Sequence, residues 1–166
     1  MPNPSPNRYQ SLHASYAKAE SPSIGHHSTI RVRENRCSYA ITGCKTPLSV
    51  VYHVDGGIYP IGTKPRRCDY FVLLQEKTDS PAWKEIFIEL KGVNYTDALE
   101  QIITTLGQTE FKKDKRADRY VRIVCTHFPY LAQDTKVRAL ELKIKNSLNC
   151  HFSKHSITFT EDYSAL

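Results

Sequence analysis

Two short runs constrain this chain more than any other feature: Cys68-Asp69-Tyr70-Phe71-Val72-Leu73-Leu74 and Ile86-Phe87-Ile88-Glu89-Leu90-Lys91-Gly92. The first is apolar and aromatic after its aspartate, and the second alternates about Glu89 and Lys91; both patterns belong to strands. Between them, Gln75 to Ala82 contains Asp79-Ser80-Pro81, a turn signal. The expected unit is a hairpin. Side chains alternate across a strand, so Glu89 and Lys91, two apart, share a face. If the hairpin is symmetric about residue 79, Asp69 lies opposite Glu89, with Cβ atoms roughly 5 Å apart.

Two carboxylates at that separation form an oxygen-ligand site for a hard divalent cation. A lysine on the same face can stabilise a developing phosphoryl charge or orient a water. Together these groups supply chemistry for cutting a phosphodiester. The bland alternative is a solvated hairpin with a cross-strand lysine–carboxylate pair. Against it, Glu89 and Lys91 interrupt an apolar strand, and charges so placed usually have a partner or a task.

The length of 166 residues suits one domain with a full core. Residues 1–27 are rich in Pro, Ser, His and Asn and read as a partly ordered arm, with a helix-compatible patch from Tyr9 to Glu20. Residues 28–166 form the domain. Thr29 to Arg33 alternates like a strand, with a helix continuing through Glu34 as the alternative. Leu48 to Val54 is a β-branched strand, Asp55-Gly56-Gly57 a turn, and Ile58 to Ile61 its expected return strand. After Gly92, Asn94 caps a helix with Asp97 in its first turn and Gly107 at its end. Tyr95, Leu99, Ile102, Ile103 and Leu106 form that helix's apolar stripe, and Gln101 falls nearly opposite it. A strand over Tyr120 to Cys125, a helix over Asp134 to Leu148 and a strand over Ser156 to Thr160 complete an α/β pattern.

The formal net charge is +6, and residues 1–50 alone carry +4. A basic surface around an acidic site fits a polyanionic partner. The loop Gly62 to Arg67 delivers Lys64, Arg66 and Arg67 to Asp69. Lys112, Lys113, Lys115 and Arg116 form a second basic run, either a phosphate-contact patch or a solvated loop. The five cysteines are odd in number and irregularly spaced, as expected of reduced, buried thiols in a cytoplasmic protein. A zinc site drawn from Cys37, Cys44, Cys150, His151 and His155 lacks paired ligand spacing. No apolar run approaches membrane-spanning length, and the N-terminal residues lack the charged and apolar regions of a signal peptide.

Asp69 and the Glu89-Leu90-Lys91 triplet, followed directly by a helix from Asn94 to Gly107, resemble the PD-(D/E)xK nuclease superfamily of restriction endonucleases, junction resolvases and repair nucleases. Cys68 stands where the motif's name has proline, a loosely kept position. The triplet alone is common, and its weight comes from the combination with the aspartate strand, the turn and the helix. The resemblance implies a restriction endonuclease-like core, with a mixed central β-sheet flanked by helices. It implies a metal-dependent endonuclease hydrolysing DNA in restriction, resolution, transposition or repair, built as a homodimer. In that picture Asp69 and Glu89 hold one or two Mg²⁺, with Mn²⁺ as a substitute, and Lys91 positions or deprotonates the attacking water. The Leu90 backbone carbonyl often completes the metal shell. Many members add an upstream glutamate; Glu34 is preferred over Glu20, the other upstream candidate, with a surface pair to a neighbouring arginine as its alternative. Some branches use a glutamine near the position of Gln101. The rival reading is a nuclease fold that binds nucleic acid without turnover. Asp55 is most simply a turn residue outside the site. His53 and His127 read as packing or surface residues, and Trp83 as cover for the sheet.

Overall fold

The computed structural model describes residues 23–78, 82–112, 117–128 and 134–166. Among the described residues there are nine strands and two α-helices: β1 (Ser23–Gly25), β2 (Ile30–Glu34), β3 (Cys37–Thr42), β4 (Leu48–His53), β5 (Tyr70–Gln75), β6 (Trp83–Lys91), α1 (Tyr95–Leu106), β7 (Ala117–Cys125), α2 (Thr135–Leu142), β8 (His151–Ser156) and β9 (Thr158–Asp162). Six strands form one mixed sheet in the order β1-β4-β5-β6-β7-β8, antiparallel as far as β6 and parallel beyond it. The remaining three form a second sheet, β2-β3-β9.

Layering explains which strands are apolar throughout. One face of the large sheet packs Phe71, Leu73, Trp83 and Phe87 against Leu99, Ile102 and Leu106 of α1 and Val137 of α2. The other face packs Val72, Leu74, Ile86, Ile88 and Leu90 against Ile30, Val32, Tyr39 and Ile41 of the small sheet. Strands β5 and β6 are therefore covered on both sides and carry near-continuous apolar runs, as doubly covered strands do. The expectation that helices flank the sheet needs correction here. Both described helices serve one face, and a second sheet covers the other. No helix among the described residues is long and apolar enough to cross a membrane.

Several local expectations also shift. Residues 30–34 keep the expected strand, and the helical alternative falls away. β1 pairs with β4 as the edge of the large sheet, so residues 23–25 belong to the body and not to an arm; the proposed helix at Tyr9 to Glu20 lies outside the described residues, as do Asp79, Ser80 and Pro81. Ile58 to Ile61 is no return strand. The chain turns tightly, with Ile58 N–H donating to His53 C=O and a single bridge between Asp55 and Tyr59. The C-terminal strand proves to be two, β8 and β9, separated at Ile157. The Asp134 to Leu148 helix is α-helical through Leu142, and a π turn spans residues 143–147. Gly107 closes α1 at φ −82°, a helical conformation that makes no use of glycine's left-handed freedom.

Candidate active site

The β5–β6 register settles the central geometry. Tyr70 pairs with Ile88 and Phe71 with Phe87, so continuing one step places Asp69 opposite Glu89. Both carboxylates are buried, Asp69 at 3% and Glu89 at 1% relative exposure. Asp69 Oδ2 accepts a hydrogen bond from Leu90 N–H at 2.7 Å. Lys91 Nζ lies 3.8 Å from Glu89 Oε1 and donates to Gln101 Oε1 at 2.6 Å. Glu89 Oε2 is buried with no hydrogen-bond partner.

Electrostatics follow from that crowding. Burial, opposed by the Leu90 N–H bond and reinforced by the negative charge of Glu34, raises the Asp69 carboxyl to about 7. Burial, and then the charge of Asp69, raises Glu89 well above the usual carboxylate range, with Lys91 and Arg66 pulling the other way. Two raised acids facing each other across a hairpin are short of positive charge. A divalent cation is what such a pair accommodates, and the bare Glu89 oxygen fits that role. Among the described residues, no three His, Cys, Asp or Glu side chains converge closely enough to cage an ion unaided. Further ligands would have to be backbone, solvent or phosphate oxygens. The Leu90 carbonyl accepts from Asn35 Nδ2 at 2.8 Å, which leaves its second lone pair.

Gln101 reverses its expectation. It is 5% exposed, and besides holding Lys91 its Nε2 donates to the Arg67 carbonyl at 2.9 Å. The sequence hides this because Ala98, Gln101 and Thr105 form a second buried row beside the apolar stripe of α1. Thr105 Oγ1 donates to the Gln101 carbonyl and accepts from Cys68 N–H, each at 2.8 Å. That row meets polar strand ends, so it needs no apolar residues.

Asp55 also stands closer to the site than its role as a turn residue suggests. It pairs with Arg66 at 3.3 Å, and its charge adds to the upward pressure on Asp69. Glu34 is near enough to raise Asp69; its partner is His53, at 3.8 Å, and not an arginine. His53 in turn stacks on Tyr70 with ring centroids 4.9 Å apart. His127 contributes nothing to this cluster, and Trp83 is buried in the core.

The basic residues divide. Lys64 and Arg66 are exposed, and Arg66 is near enough to act on the charge of Glu89. Arg67 is not available to a ligand: it is buried over the Tyr59 ring at 3.8 Å and donates to Pro65 C=O and Gln108 Oε1. Lys112 is exposed but remote. Just beyond it Ala117 pairs with Trp83 at the start of β6, roughly 26 Å along the strand from Lys91 at about 3.3 Å per residue. Lys113, Lys115 and Arg116 lie outside the described residues. All five cysteines are buried, and no disulfide joins any two of them. Cys37 donates to the Lys91 carbonyl and Cys150 to that of Leu148, so no shared zinc site forms. Compared with protein-family models, curated proteins and solved structures, the chain matches none.

Proposed function

We propose that the chain is a metal-dependent endodeoxyribonuclease of the PD-(D/E)xK kind, with a restriction endonuclease-like core in residues 28–166. One observation carries this reading: two buried, mutually repelling carboxylates, Asp69 and Glu89, face each other beside a lysine held in place by Gln101. Strand–strand–strand–helix–strand order from β4 to β7 is compatible with it. Asp69 and Glu89 would hold Mg²⁺, with the Leu90 carbonyl and Glu34 as further oxygen donors. Such an ion supplies charge neutralisation and polarisation of an attacking water.

The chain's own residues supply the rest. Leu90 N–H fixes one Asp69 oxygen, which leaves the other free to point into the site. Gln101 Oε1 accepts a hydrogen bond from Lys91 Nζ, and Glu89 Oε1 lies 3.8 Å from the same ammonium. With three N–H donors, the ammonium would have one left for a phosphoryl oxygen of the substrate, whose charge grows during in-line attack. Lys64 and Arg66, both exposed, would hold the DNA backbone. A homodimer, one copy per strand, belongs to the same reading.

The test is incubation of supercoiled and linear DNA with the protein in Mg²⁺, Mn²⁺ or EDTA. Cleavage in either metal and none in EDTA is expected. Tight binding with no cleavage in any metal would favour a nuclease fold that only binds nucleic acid. Light scattering on the same preparation reads the oligomeric state.

A further inference from the structure

Two clefts are lined by neighbours of the Asp69–Glu89–Lys91 cluster, one by Gln101, which bonds Lys91, and the other by Gly92, which follows it, and they differ in charge. One, of about 210 Å³, lies between Pro65 and Arg66 and the α1 residues Asp97, Glu100, Gln101 and Thr104, so its wall carries two carboxylates. The other, of about 510 Å³, is lined by Asn35, Arg36, Gly92, Thr126 and Ile157, with no acid among them. It opens at the C-terminal end of β6. Gly92 follows Lys91, Asn35 bonds the Leu90 carbonyl, and Thr126 Oγ1 donates to Gly92 C=O at 2.6 Å.

Three residues of this second cleft have left-handed backbone: Asn35 at φ 50°, Arg36 at φ 63° and Ile157 at φ 61°. Asparagine adopts that conformation readily. For an arginine, and still more for a β-branched isoleucine, Cβ crowds the following carbonyl. Glycine would suit both places better, since Asn35 and Arg36 are the central residues of a two-residue hairpin turn between Glu34 and Cys37, and Ile157 is the corner between β8 and β9. Packing does not compensate. Arg36 is exposed, no carboxylate among the described residues pairs with it, and Ile157 is 55% exposed. Side chains that strain the backbone without the reward of burial are grounds for a role outside folding.

We propose that this cleft seats the nucleotide flanking the scissile bond of the DNA substrate, with the Arg36 guanidinium on its phosphate and Ile157 against its sugar. The assignment rests on the nuclease reading above. A guanidinium grips a phosphate with two parallel N–H donors, which would fix the strand's register relative to the carboxylate pair, whose Glu89 lies three residues before Gly92.

The experiment compares wild type, Arg36→Gly, Arg36→Lys and Ile157→Gly in the full chain. Binding of a short labelled DNA duplex in Ca²⁺ is measured against salt, alongside melting temperature and Mg²⁺-dependent cleavage. The glycine variants should melt no lower than wild type, because they relieve the left-handed strain. Arg36→Gly should bind at least roughly tenfold more weakly, since even one of its two charge-assisted hydrogen bonds is worth that much, and its log–log salt slope should shrink by about 0.9. Arg36→Lys should keep the wild-type slope, and Ile157→Gly should lose affinity without a change of slope. Wild-type affinity and slope in Arg36→Gly would overturn the cleft assignment even if wild type cuts DNA. So would a fall in its melting temperature, which would make the arginine structural. Wild-type protein that binds but never cuts would defeat the nuclease reading while the slopes still decide the cleft. Failure of wild type to bind DNA at all would defeat both.

Discussion

Asp69 is held in the folded chain in a form that disfavours its charge. Burial, with Glu34 and Asp55 nearby, lifts its carboxyl from 3.8 to about 7. An acid that binds its proton more tightly when folded stabilises the fold while protonated. That contribution is complete below the unfolded value and is lost as pH rises through the folded one. Without metal, the stability of wild type relative to Asp69→Asn should therefore fall between about pH 4 and about pH 7. Denaturant melts at a series of pH values check this, and a difference that rises across the window would contradict the site's electrostatics. Millimolar Mg²⁺ near pH 7 should raise the melting temperature of wild type more than that of Asp69→Asn, since the cation binds the ionised pair; equal rises would count against Asp69 as a ligand. Asp69, Glu89 and Lys91 are legible in the sequence because strand alternation and hairpin symmetry fix their faces without knowledge of the rest. Gln101 and Arg67 are not. Their burial depends on what the neighbouring element offers, a lysine and a carbonyl for one, a tyrosine ring and Gln108 for the other.

Among the elements, β6 carries the most. Its whole length but the last residue is buried, including Glu85, which pairs with Arg119 of β7 at 2.8 Å. Arg119 also donates to the Phe111 carbonyl, tying the turn after α1 to the sheet. Glu85→Ala should cost about 3–5 kcal/mol in urea unfolding, because it leaves a buried guanidinium short of its counter-charge. A loss below about 1 kcal/mol, the scale of an exposed pair, would mean that water reaches Arg119. The β5–β6 hairpin and α1 are readable from periodicity and capping, and Asn94 does cap α1, accepting from Asp97 N–H at 3.1 Å. The small sheet is readable only in part: β2 and β9 show in the alternation of Thr29 to Arg33 and Ser156 to Thr160, but β3 does not, because the turn between β2 and β3 uses Asn35 and Arg36 with no glycine to announce it. In the large sheet, the edge strand β8 is too polar to stand out.

At the scale of the whole molecule, the net charge of +6 says less than its placement. Lys64 and Arg66 are exposed, Arg66 near Glu89, whereas Arg67 is locked into the fold. Replacing Lys64 and Arg66 with alanine should weaken DNA binding at every sequence and reduce the log–log salt slope by about 0.9 per lost contact. Arg67→Ala should instead lower the melting temperature with little change in slope. If Arg67→Ala altered the slope and the double variant did not, DNA would approach from another face. The central claim, that the Asp69–Glu89 pair holds the cation that cuts DNA, is tested most directly by nicking of supercoiled plasmid in Mg²⁺, wild type beside Glu89→Gln. Glutamine keeps the shape and removes the charge, so the variant should fold and bind DNA yet lose cleavage by at least about a hundredfold. A folded Glu89→Gln protein that nicks at the wild-type rate would contradict the account.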